Sequence, residues 1–270
     1  MARGNVLNPT TGAILIAAIV IVIVFIALMK TDVIVAAFTV DISTEKVEFL
    51  GADATSNLLF MDRDTYVSTM TAADLVAREV SSPQEYITRI AQATENFSLE
   101  EKTKLVEACS KADAWISKQE VSKSFDGPAA ALIPWKFAKT TAAYEEGFPH
   151  TRMEYIFLTG ALVATDITSF IRTLIHEKVH LYQRLYKEDV LAYIRSKNIM
   201  LFTEKQNYEL VRANPDTDGY VYAINRTPMV AVYKSKTPMG INDIVITPVN
   251  KAEYEHPFEL QAYEIAARYD

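Results

Sequence analysis

The stretch TLIHEKVHLYQRLY holds two histidines four residues apart, His176 and His180, with Glu177 beside the first. On a helix, positions four apart lie one turn above each other on one face, so both imidazoles can reach one ion. Glu177 is turned about 100° from His176. It would not point at that ion but could reach a water held there, which is the place for a general base. Ligand pair, base and water are the parts of metal-assisted hydrolysis.

A catalytic zinc takes three protein ligands and keeps a fourth position open. Glu259, in EHPFELQAYEIA, is the candidate third ligand. A carboxylate among small and apolar residues is costly to bury unpaired, and a cation removes that cost. Tyr263, one helical turn beyond Glu259, is the candidate electrophilic helper for a developing oxyanion. His150, His256 and Tyr186 are further candidates for that role, each read first as a packed or surface residue. The implied cofactor is one zinc ion. An oxygen-activating iron site would have no need of a glutamate beside His176.

These residues resemble those of the zincin metallopeptidases, in the branch whose third ligand is a glutamate on a later helix. The residues that carry the likeness are His176-Glu177-Lys178-Val179-His180 and Glu259-Leu260-Gln261-Ala262-Tyr263. The resemblance implies peptide-bond hydrolysis of a polypeptide substrate, with His176, His180 and Glu259 on zinc and Glu177 activating water. It also implies a strand ahead of the motif helix, MEYIFLTG, that aligns substrate by edge pairing. Some relatives carry, at the place of Tyr263, an acid that orients a ligand histidine; Asp216, Asp218 or Glu264 are candidates for that task here. A second resemblance, of PWKFAKTTAAYEEGFPHT and RANPDTDGYVY to membrane-anchored proteins of large DNA viruses, implies an alternative. In that reading the chain is a minor capsid protein tethering a shell to an inner membrane, and its zinc site is vestigial or structural.

The elements that must position these residues are legible in outline. Thr165 or Asp166 can cap a helix whose apolar positions 167, 170, 171, 174, 175 and 179 trace a buried side. Pro257 opens a closing helix with Leu260, Ala262, Tyr263 and Ala266 inward. DGYVYAIN, MVAVYKS and DIVITPV read as short strands. Residues 71–146 read as mostly helical scaffold, with Thr71, Ser82 and Ser98 as N-caps and Asp74, Glu85 and Glu101 three residues on.

Residues 12–29, GAILIAAIVIVIVFIALM, are eighteen residues without a charge, long enough for a helix to cross a hydrocarbon layer. A cleaved signal peptide fits less well, because ALMKTD lacks a small-x-small cleavage site. The expected organisation is a short tail over 1–11, a transmembrane helix over 12–29, a mostly helical half over 30–148 and a metal-binding half over 149–270. The expected fold class is α+β: a membrane helix followed by a zincin-like domain with a helical half and a small β-sheet. The expected partners are a lipid bilayer, a polypeptide and a capsid or other membrane-associated assembly. The expected location is a membrane crossed once, such as a virion inner membrane.

The chain has 270 residues, half of them hydrophobic, enough for a sizeable core. A net charge of −7 without a basic run argues against nucleic acid as a partner. The single cysteine, Cys109, excludes an intrachain disulfide and any cysteine-rich metal cluster. The sequons at Asn96 and Asn225 are too common by chance to fix a compartment.

Overall fold

The computed structural model describes residues 46–121, 123–247 and 254–269. Twelve short strands occur among them: β1 (Val47–Phe49), β2 (Thr94–Glu95), β3 (Glu120–Val121), β4 (Phe125–Asp126), β5 (Trp135–Thr140), β6 (His150–Arg152), β7 (Tyr155–Leu158), β8 (Ile199–Glu204), β9 (Tyr220–Ile224), β10 (Thr227–Met229), β11 (Ala231–Tyr233) and β12 (Ile244–Ile246). The main sheet runs β1-β5-β7-β6, with β2 also on β5. β5 is parallel to both β1 and β7, whereas β6 returns antiparallel to β7. Three smaller sheets, β10-β9-β8, β11-β12 and β3-β4, complete an α+β architecture.

The main core lies where the helix Leu99–Ile116, the motif helix Ile167–Leu185 and the C-terminal helix Pro257–Ala266 pack on this sheet. Trp135, Phe137 and Ile156 from the strands meet Leu105 and Ala112, Leu174 and Ile175, and Ala262 from those helices. Local chemistry places the helix ends. Thr71 with Asp74 and Ser98 with Glu101 form reciprocal capping boxes. Ser82 also caps its helix, but the Glu85 carboxylate turns to the backbone N–H and hydroxyl of Ser81 instead. Asp166 caps the motif helix, accepting from Thr168 N at 3.1 Å and Ser169 N at 3.0 Å.

The expected architecture is corrected in two respects. Among the described residues no helix is long and apolar enough to cross a membrane. The stretch 12–29 that carried that expectation lies outside the described residues. Nor is there one small β-sheet beside a helical half. The five-stranded sheet takes β1, β2 and β5 from before residue 149 and β6 and β7 from after it.

The strand expected to pair with substrate also differs. β7 is flanked on both sides, by β5 and β6, and offers no free edge. The outer side of β6 is occupied at Thr151, whose N–H donates to Asp216 and whose carbonyl accepts from Arg184.

Candidate metal centre

The two motif histidines and the glutamate 79 positions beyond the second meet at one point. His176 Nε2 and His180 Nε2 are 3.0 Å apart. Glu259 Oε2 lies 3.3 Å from the first and 3.8 Å from the second. Ligand atoms held about 2.0–2.1 Å from a tetrahedral zinc are separated by roughly 3.3–3.5 Å, so the three atoms have the spacing of one face of such a shell.

The protonation pattern suits a cation as well. The Ser124 carbonyl can only accept, so Gln261 Nε2 donates to it at 2.8 Å. Gln261 Oε1 then accepts from Gln183 Nε2 at 2.9 Å, which also donates to the Phe258 carbonyl at 3.0 Å. Gln183 Oε1 is left to accept from His180 Nδ1 at 2.9 Å. With the proton fixed on Nδ1, His180 Nε2 presents a bare lone pair to the site. Burial presses the His180 pKa down to about 3, which keeps the ring neutral. Burial would raise the Glu259 pKa, but the contacts with His176 and the Asn214 amide outweigh it and hold the carboxylate ionised. For His176 burial works in the other direction, but the Glu259 carboxylate outweighs it and raises the pKa. The donor set therefore fits a divalent ion such as zinc.

His176, Glu177, Glu259 and Tyr263 line a cleft of about 670 Å³, whereas His180 reaches the centre from behind. Glu177 is buried, and its Oε2 accepts from Thr151 Oγ1 at 2.9 Å. Burial pushes its pKa up to about 7 against the opposing pull of His176 and Thr151, the range a general base needs near neutral pH. Tyr263 is half exposed, not inward as expected, and its ring stands edge-on to His176 with centroids 4.5 Å apart. Burial and the nearby carboxylates raise its pKa to about 12, so the phenol stays a proton donor.

The remaining candidates make other contacts. His256 caps the C-terminal helix by accepting from Phe258 N at 3.2 Å and donates to Asp218 at 3.1 Å. Glu264 is taken by Tyr193 and Lys197. Tyr186 stacks on Tyr182. His150 borders the cleft, with its ring stacked on Phe157 and Nδ1 donating to Phe148 O. Asp216 binds Thr151 N and no imidazole. The side chain bonded to a motif imidazole is Gln183, which sequence reasoning missed, as it missed Gln261, Asn214 and Thr151. Gln183 had a signal: it lies three residues after His180, next to it on the same helical face.

No family model, no curated protein and no solved structure matches this chain.

Proposed function

We propose that the chain is a zinc-dependent metallopeptidase that hydrolyses peptide bonds. The observation that carries this reading is the convergence of His176 Nε2, His180 Nε2 and Glu259 Oε2 on one wall of a cleft, with Glu177 buried beside them. Zinc, when bound by these three, supplies Lewis-acid polarisation of oxygen and lowers the proton affinity of water. Glu177 takes a proton from the attacking water and delivers it to the amine nitrogen as the carbon–nitrogen bond breaks. Thr151 holds one oxygen of Glu177, which fixes the direction from which the proton is accepted. Tyr263 donates from its phenol to the carbonyl oxygen as charge builds there. Cleft volume and open access suit a polypeptide segment.

The test joins metal analysis to a cleavage assay on a mixed peptide library read by mass spectrometry. Purified protein is expected to carry one zinc per chain. Glu177→Gln is expected to keep the zinc and lose about 10²- to 10⁴-fold in hydrolysis. A metal-free preparation that takes up no added zinc, or a Glu177→Gln variant as active as the wild type, would overturn the reading.

A further inference from the structure

The loop Asn214–Asp218, with sequence NPDTD, sends alternate side chains to three different parts of the site. Asn214 Nδ2 donates to Glu259 Oε1 at 2.9 Å, which leaves the other carboxylate oxygen facing the imidazoles. The Asn214 amide is itself oriented, since its oxygen accepts from Asp216 N at 2.8 Å. Asp216 Oδ1 accepts from Thr151 N at 2.6 Å, and Thr151 Oγ1 donates to Glu177. Asp218 accepts from His256, the cap of the helix that carries Glu259. Arg184, two turns beyond Glu177 on the motif helix, closes the circuit. Its NH2 group donates to Thr151 O at 2.6 Å and to Pro215 O at 2.8 Å, tying strand and loop to that helix.

We propose that this loop is a single positioning element for the metal centre: Asn214 sets the third ligand and Asp216, through Thr151, sets the base. The proposal rests on the metallopeptidase reading of the site. A glutamate side chain has three rotatable bonds, and a fixed partner on its far oxygen orders it before an ion arrives. Placing both carboxylates from one short backbone segment keeps their separation constant, and a misplacement near 1 Å can cost about 10²-fold in rate. Asp216 is hydrogen-bonded to neither a ligand nor the base, but its carboxyl lies in the field of Glu177 and Glu259, so Asp216→Asn, which removes the charge and keeps the acceptor, separates the loop's geometry from that field.

The decisive variant is Asp216→Ala, with zinc affinity measured by chelator competition, the visible absorption of the cobalt-loaded protein, and hydrolysis. One positioning element predicts that kcat falls, zinc affinity falls about 10-fold and the cobalt spectrum shifts. Asp216→Asn, which keeps an oxygen for Thr151 N, should restore all three. Asn214→Ala should weaken zinc by about 10- to 100-fold. If Asp216→Ala lowers kcat while zinc affinity and the cobalt spectrum stay unchanged, the loop is not one element and the proposal fails. Should that variant not fold, Thr151→Val serves: kcat is expected to drop at constant KM and zinc affinity, with Thr151→Ser restoring it. Unchanged kcat in Thr151→Val overturns the route to Glu177. A wild type that binds zinc but cleaves nothing removes the peptidase reading, while the zinc and cobalt measurements still decide the role of the loop. A wild type that binds no zinc overturns both.

Discussion

The motif helix buries charge on two of its faces and treats the two differently. On one face Lys178 is fully enclosed: its Nζ sits 3.9 Å from the centre of the Trp135 ring, 3.4 Å from Asp113 Oδ1, and donates to the Ile133 carbonyl. A carboxylate, a carbonyl and a ring face surround the ammonium, so the face supplies its own counter-charge. On the other face the imidazoles of His176 and His180 and the carboxylate of Glu259 converge beside a cleft. On the metal-centre reading, the positive charge on this face comes from an ion. Burial alone is therefore no sign of function; what separates the two faces is whether the protein supplies the opposite charge itself.

Breaking the closed face should have the largest effect on stability. Lys178→Met strands Asp113, whose pKa burial already raises. Removing one partner of a buried pair costs about 3 kcal/mol, the lower end of the usual range because Asp113 keeps 17% of its side chain in water. Adding Asp113→Asn should recover most of that loss, since it removes the unpaired charge and keeps an acceptor for the Trp135 indole. Urea unfolding of the single and double variants measures this, and zinc affinity should be unchanged in both. A double variant no more stable than the single one would mean that the cost lies in lost packing on Trp135 rather than in the ion pair.

Much of the open face could be read before folding, because helical geometry alone puts His176 and His180 on one side, and the cost of burying Glu259 points to a cation. The caps at Thr71, Ser82 and Ser98 and the proline start at 257 were legible for a similar reason: each depends on residues within one turn. What could not be read depends on distance across the fold. β5 lies inside the stretch taken for helical scaffold. Its sequence WKFAKT does not alternate because neighbours cover it on both sides and both of its faces are largely buried. Tyr263 has the spacing of an inward residue, yet its ring lies against His176 at the cleft. Gln183 had a local signal beside His180, but Asn214 and Gln261 reach the site from separate segments, and no local pattern announces them. Lys178 gave no signal either, since its partners come from a different helix and from the main sheet.

A finer test of the open face addresses Gln183. If the relay fixes the proton on His180 Nδ1, then Gln183→Leu should let the ring rotate or change tautomer and lower zinc affinity by about 10- to 100-fold, or about 1.4–2.7 kcal/mol. Gln183→Glu keeps an acceptor for Nδ1–H and should bind zinc more tightly than the leucine variant. Gln261→Met, one hydrogen bond farther from the metal centre, should have a smaller effect. Zinc competition titrations order the three. A leucine variant with wild-type affinity would show that the ring is held by packing instead.

The most gradual effect, read as a slope against pH, separates a buried histidine that belongs to the packing from the two at the candidate metal centre. His150 borders the same cleft, but its ring is clamped between Phe157 and Tyr144, and burial holds its pKa at about 4 instead of 6.5. Glu145 and the Phe148 carbonyl favour its charged form, while Arg152 and Arg78 oppose it. The fold keeps this histidine neutral, so its contribution is complete above pH 6.5 and is lost as the pH falls toward 4, where the unfolded chain binds a proton that the folded one refuses. One proton of difference corresponds to at most about 1.4 kcal/mol per pH unit within that window. In zinc-free protein, His180 contributes with the same sign, so the comparison has to be between wild type and His150→Phe. The variant loses the bond to Phe148 and should start less stable, yet its urea-unfolding free energy should fall less steeply between pH 6.5 and 4. Parallel slopes would place the proton uptake elsewhere and remove His150 from the closed class to which its stacked ring assigns it.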